Sequence, residues 1–210
     1  MQQRQEDRII EYVRDVLNKE AQALSNVQSR IGEAFVKAVE MILKAVEAGG
    51  RVIITGVGKS GIVGKKIAAT MASLGIPSYF VHADEALHGD LGMIQEKDVV
   101  IAISHSGRTQ ELLATVSHIK SFGNSVVAIA KDDDNPLAHM SDVTICTHVD
   151  HEADHLNTAP TASSTTTLAL GDALAVTVAR LRSFGREDFL RLHPGGALGE
   201  ALSKVVKNNH

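Results

Sequence analysis

The chain has 210 residues and a formal net charge of −4, with 44% apolar residues, 3% aromatic residues and no Trp. An acidic balance argues against a nucleic-acid surface, and no apolar run approaches the roughly 18 residues that a membrane-spanning helix needs. The core must be aliphatic, which suits a Val- and Ile-rich sheet covered by Ala- and Leu-rich helices in one domain.

Gln5 to Ala48 reads as two helices with a break near Ser25 to Ser29, ended by Gly49 and Gly50 as a helix C-cap would end it. Ile9, Ile10, Val13, Val16 and Leu17 make one apolar stripe; Phe35, Val39, Ile42, Leu43 and Val46 make another. The first helix stands outside the sheet that follows, and its stripe suits a partner subunit or a face of the same chain. A homo-oligomer is expected. The charged opening MQQRQEDRII does not read as a signal peptide, so a cytoplasmic protein is expected. The expected division is an N-terminal helical region, 1–48, and a sheet domain, 49–210.

From Arg51 strands and helices alternate. Strands are expected at Arg51–Thr55, Ser78–Val81, Val99–Ser104, Ser125–Ala130 and Val143–Thr147, and helices at Ile62–Leu74, Glu111–Phe122 and Thr165–Leu181. The last helix is largely apolar and should be central and buried. This order predicts an α/β fold: a doubly wound, five-stranded parallel sheet flanked by helices, with the N-terminal helices added. Ligands of such sheets sit at the carboxyl ends of the strands, near a topological switch point. The single cysteine, Cys146, cannot form an internal disulfide and reads as a small buried hydrophobe.

The stretch Arg51 to Thr70 carries the first chemical signal. Gly56, Gly58 and Gly61 are expected to turn the chain, because glycine takes positive φ without steric cost. Strand, turn and helix start then aim free N–H groups and a helix dipole at one point, which attracts phosphate. Lys59 and Ser60 stand inside that turn. A Walker A loop fails, since Ile53 occupies the position of its first glycine. The dinucleotide pattern G-x-G-x-x-G does match, and Asp84 falls near its acidic position, so a nicotinamide or flavin oxidoreductase is one reading. A second anion cradle follows the third strand: Ser104-His105-Ser106-Gly107-Arg108-Thr109 offers three hydroxyls at a helix start. A plain helix cap at Thr109 explains the same residues.

Gly56–Gly61 together with S-x-S-G-x-T at Ser104–Thr109 resembles the sugar isomerase (SIS) domain. Glu152-Ala153, Asn157–Thr165, Leu168–Ala175 and Leu192–Gly199 narrow the resemblance to arabinose-5-phosphate isomerases, over nearly the whole chain. That family interconverts ribulose 5-phosphate and arabinose 5-phosphate and supplies synthesis of the lipopolysaccharide sugar Kdo; its members are usually oligomeric, so the resemblance implies a homo-oligomer, dimer or tetramer, with sites near subunit interfaces. Long members carry paired CBS domains after the last motif; a short form lacking them is expected here. Arg108 stands where many members have an acidic residue, and Asp154-His155 replaces a common Cys-Pro.

The resemblance implies catalytic Lys59, His88, Glu111, Glu152 and His193, and substrate-binding Gly58, Ser60, Gly75, His82, Ser104, Ser106 and Thr109. An aldose–ketose isomerase opens the sugar ring and moves a proton between C1 and C2 through an enediol, which asks for a base, an acid and a donor for the enediolate. Glu152 or Glu111 is the expected base, His193 the ring-opening acid/base, His88 an orienting or shuttling group, and Lys59 a phosphate or oxygen partner. From the residues alone Glu111 reads as helix-dipole complementation, Glu152 as a solvated loop charge and His193 as a loop histidine. No cofactor is required by enediol chemistry. His82, with His88 nearby, suits an inhibitory Zn²⁺. The competing reading is a non-catalytic sugar-phosphate sensor.

Overall fold

The computed structural model describes residues 2–195. Gly196 to Gly199 of the last sequence motif lie outside the described residues. Helix α1 (Gln2–Gln28) is followed after a four-residue break by α2 (Glu33–Glu47), the break falling just beyond the stretch expected. Five strands then form one parallel sheet: β1 (Val52–Gly56), β2 (Ser78–His82), β3 (Val99–Ile103), β4 (Ser125–Ala130) and β5 (Val143–Cys146). Their spatial order is β2-β1-β3-β4-β5. Val52 aligns with Ser78 on one side and Val99 on the other. All five residues of both β1 and β3 are buried, as continuous apolar runs in a parallel sheet require.

The period-2 alternation of a strand sends alternate residues into two cores. Val52, Ile54, Ile101, Ile103 and Ile129 pack under α2, α3 (Gly58–Ser73) and α7 (Ala162–Leu181). Ile53, Val100, Ala102 and Ala128 pack under α4 (Ala83–Ala86), α5 (Gln110–Ser121) and α6 (Pro136–Met140). Because α2 contributes Ala38, Val39 and Ile42 to the first core, the N-terminal helical region and the sheet share one interior. The chain leaves β1 toward the α3 face and β3 toward the α5 face. The two loops diverge and leave a crevice at the carboxyl edge between neighbouring strands, the switch point of a doubly wound sheet.

Helix α7 is buried on one face rather than all round. Leu170, Leu174, Ala175 and Val178 are in the core, whereas Val176 is 46% and Leu181 is 61% exposed. It crosses α3 at close range, for a Cβ on Gly171 would collide with the Ile67 side chain. Lys66 Nζ reaches Asp172 at 2.6 Å across the same contact. Helix α1 rests on α7 near its end, with Val27 buried and Thr165 Oγ1 donating to Glu20 Oε2 at 2.9 Å. Its expected stripe is solvent-exposed in the single chain, from 37% at Val16 to 61% at Leu17. The last helix among the described residues, α8 (Arg186–Leu192), has no apolar stripe in the sequence that would announce it.

Candidate active site

The β1–α3 turn uses its three glycines in two ways. Gly58 alone among them takes positive φ, +58°. Gly56 and Gly61 are needed for close approach: a Cβ on Gly61 would stand 3.0 Å from the Gly56 carbonyl oxygen and 3.3 Å from the Phe80 ring. The helix therefore begins at Gly58, four residues before the expected Ile62. Lys59 is exposed in its first turn with Ser60 beside it. Both line a cavity of about 180 Å³, which is closed by His105 from the loop after β3 and by Pro160, Ser163 and Ser164 at the start of α7. The starts of two long helices and the end of β3 thus meet at one point.

The Ser104–Thr109 loop is already organised internally. Ser104 Oγ and Thr109 Oγ1 lie 3.0 Å apart, Gly107 N donates to Ser104 Oγ at 3.2 Å, and Arg108 N donates to Ser106 Oγ at 3.3 Å. Gly107 has φ +62°, and a Cβ there would strike the Asn135 side chain. Thr109 occupies the N-cap position of α5, but its side chain makes no capping hydrogen bond. The cap reading of Thr109 is therefore not realised, and the first N–H groups of α5 keep no side-chain partner from it. Glu111, in that first turn, is exposed.

Glu152 is not a solvated loop charge. Its Oε2 accepts from Thr161 N (2.9 Å), Thr161 Oγ1 (3.2 Å) and Ser163 N (3.1 Å), and Ser163 Oγ donates to its Oε1. The carboxylate thus sits at the positive end of the α7 dipole. Burial pushes its pKa up, but the hydrogen bonds from Ser163 and Thr161 together outweigh burial and hold it below the ordinary value. Asn157 Oδ1 accepts from the Glu152 backbone N–H at 2.6 Å. Ser163 lines the 180 Å³ cavity; Glu152 itself lines a neighbouring groove of about 540 Å³ with His148, His151 and the Lys19–Asn26 face of α1. Asp154, one of the two departures beside Glu152, ties the intervening loop by accepting N–H bonds from Leu156, Thr158 and Ala159.

The remaining expected residues divide between the two edges of the sheet. His82 ends β2 at the carboxyl edge, beside Gly56 in register. Its Nδ1 lies 3.3 Å from Asp84 N and 3.6 Å from Asp84 Oδ2, so Asp84 is engaged with His82. His88 is exposed on the loop beyond α4. Among the described residues no three His, Cys, Asp or Glu side chains are grouped to hold a metal ion. His193 and Gly75 lie at the opposite, amino edge. His193 Nε2 is 2.7 Å from Ser73 Oγ, and its ring stacks on Phe189 with centroids 3.9 Å apart. Gly75 follows Ser73, has φ +72° and abuts Phe184. Ser73 is separated from Lys59 by about 21 Å of α3, at roughly 1.5 Å per residue. In one chain, therefore, Gly58, Lys59, Ser60, His82, Ser104, Ser106, Thr109, Glu111 and Glu152 share the carboxyl edge, Gly75 and His193 do not, and His88 lies on the connection that leads back from that edge to β3.

Sequence reasoning does not single out Thr161, Ser163 or His105. Ser163 and Thr161 lie in a Ser/Thr-rich run that reads as a helix start, and nothing local ties them to Glu152. His105 is hidden among the hydroxyls of its own loop.

The glycine turn, the serine–threonine loop and the carboxylate at the start of the last long helix occupy one edge of a 2-1-3-4-5 sheet. The SIS domain family matches residues 46–177. The chain belongs to the SIS-domain family. This SIS domain is 48% identical over 189 residues to arabinose 5-phosphate isomerase KdsD of Pseudomonas aeruginosa, covering 90% of the chain and 57% of that protein. It is also 48% identical to the KdsD of Francisella tularensis, covering 90% of the chain and 58% of the relative. The chain thus spans less than two thirds of the length of these curated relatives. Among solved structures, an Escherichia coli protein in complex with arabinose 5-phosphate superposes with a TM-score of 0.83 at 40% identity, over 87% of this chain and 96% of that one. A phosphosugar isomerase assigned to capsule formation in Bacteroides fragilis superposes with a TM-score of 0.84 at 37% identity, over 88% and 97%.

Proposed function

We propose that this SIS domain is the catalytic unit of an aldose–ketose isomerase that interconverts ribulose 5-phosphate and arabinose 5-phosphate through an enediol, upstream of Kdo synthesis in the cytoplasm. The observation that carries the reading is the Glu152 carboxylate, kept ionised by Thr161 and Ser163 at the start of α7, next to the cavity that Lys59 enters. A sensor needs a sugar-phosphate pocket but no poised base. The E. coli structure bound to arabinose 5-phosphate, at 40% identity, supports the same reading.

In this reading the N-terminus of α5 and the Ser104, Ser106 and Thr109 hydroxyls take the phosphate, with Gly58 facing it across the switch point and Ser60 beside Lys59 in the cavity wall. Glu152 takes the proton from C1 of the ketose and returns it to C2, with Glu111 the alternative base. Lys59 stabilises the enediolate oxygen. His82 and His88 line the sugar end. No metal takes part in turnover, and Zn²⁺ inhibits through His82, whose Nε2 makes no hydrogen bond among the described residues.

His193 and Gly75 reach a substrate only if a second copy brings its amino edge to the carboxyl edge of the first. The exposed α1 stripe supports such an assembly. The test mixes two variants. Glu152→Gln and His193→Ala should each be inactive, and mixed after dissociation they should regain part of the wild-type conversion of ribulose 5-phosphate. Absence of conversion by the wild-type chain would refute the isomerase reading. Normal turnover by His193→Ala would remove the second-copy contribution alone.

A further inference from the structure

One polar group in the cavity has no part in the roles assigned so far. His105 follows β3, and its carbonyl accepts from Lys131 N at 2.8 Å, extending the β3–β4 pairing past the strand end. Strand alternation then places its side chain on the same face as Ile103, toward α3 and α7, where it closes the cavity shared with Lys59, Ser60 and Ser163. Backbone pairing sets the face that the ring enters. Its Nδ1 is buried and has no hydrogen-bond partner among the described residues.

A buried nitrogen without a partner is costly; Nδ1 is sealed from a water-sized group, so Nε2 is the ring nitrogen that a ligand in the cavity can meet. Burial holds the imidazole below its ordinary pKa, against the upward pull of Glu152. At neutral pH the ring is therefore uncharged, with one N–H donor and one acceptor nitrogen. Nε2 can therefore donate to a sugar oxygen or accept from a sugar hydroxyl, whichever tautomer is present, whereas an ionised phosphate, which only accepts, serves the N–H form alone. The neighbours point the same way: Lys59, the enediolate partner, and Ser163, which holds the Glu152 base, line this cavity, whereas Ser106 and Thr109 are not in its wall.

We propose that His105 is a substrate-contacting residue that hydrogen-bonds a hydroxyl of the sugar chain, and not its phosphate, in the cavity bounded by Lys59, Ser60 and Ser163. This rests on the isomerase reading above and adds a group that selects the sugar. Among the described residues Nδ1 has no partner that an apolar side chain would forfeit, so function here opposes stability.

The test compares wild type with His105→Leu and His105→Asn by calorimetric binding of arabinose 5-phosphate and, separately, of inorganic phosphate, with unliganded Tm measured alongside. Expected for His105→Leu is about tenfold weaker arabinose 5-phosphate binding, close to 1.4 kcal/mol. Phosphate binding should be unchanged and Tm equal to or above that of wild type. His105→Asn, which keeps a donor and an acceptor, should recover part of the sugar-phosphate affinity. Equal loss for both ligands would mean that His105 only shapes the phosphate loop and would overturn the proposal. Unchanged arabinose 5-phosphate binding by His105→Leu would overturn it as well, while leaving the isomerase reading intact. A wild-type chain that binds phosphate but not arabinose 5-phosphate would overturn both.

Discussion

Replacing Ser163 by Ala tests whether the carboxylate that the mechanism needs is built by α7. Glu152 receives four hydrogen bonds, and the substitution removes the one from Ser163 Oγ while leaving those from Thr161 N, Thr161 Oγ1 and Ser163 N. A hydrogen bond to a charged group contributes roughly 1.5–3 kcal/mol when screened from water. Glu152 is only partly buried, so solvent screening reduces the figure to about 1 kcal/mol. In a domain of this size that lowers Tm by roughly 2–4 °C. The folded carboxyl titrates below its ordinary value near 4.5, so the stabilisation is present above that value. It is lost as the pH falls through the folded pKa. Ser163→Ala should therefore cost stability at pH 7 and little at strongly acid pH. A double-mutant cycle of Ser163→Ala with Glu152→Gln isolates the pair. Additive effects at pH 7, or a coupling that survives when the carboxyl is protonated, would refute the account. Because the base loses a donor to its charged form, its pKa rises, and the acid limb of the rate–pH profile should move to higher pH.

Other regions give independent tests. Gly107→Ala forces a side chain onto a residue with φ +62° and into Asn135, and should cost roughly 2–3 kcal/mol by urea denaturation with an unchanged m value. At the amino edge Asp98, whose side chain is fully buried, accepts from Arg51 Nη2 at 2.8 Å and from the backbone N–H groups of Arg51 and Gln95. Arg51→Ala leaves those backbone donors in place and should destabilise by about 2 kcal/mol, below the usual cost of a broken buried pair, without changing KM. Zn²⁺ should inhibit turnover in wild type, and chelation should restore it fully. His82→Ala should lose the inhibition; a requirement for a divalent ion after chelation would overturn the metal-free mechanism.

Much of this molecule follows from local chemistry written in the chain. The β-branched runs at 52–56, 99–103 and 125–130 suit buried strands, and their alternation with helices leads to a parallel sheet whose ligand edge is its carboxyl edge. Lys59 and Ser60 are placed there by the residues immediately around them, and so is the Ser104–Thr109 loop. Tertiary structure decided the contacts between residues far apart in sequence. Glu152 reads as a loop charge because the N–H groups that hold it belong to a helix that begins ten residues later. Gly61 reads as a turn residue because the Phe80 ring that excludes a side chain arrives from the next strand. His193 and Gly75 carry no sign of which edge they occupy; that depends on the length of α3 and on how α8 folds back against its end. His105 becomes distinct from its neighbours only when strand pairing sets which face its ring enters. Hydrogen-bond partners, cavities and buried orphans are properties of chain segments brought together by packing, and periodicity along a single segment does not encode them.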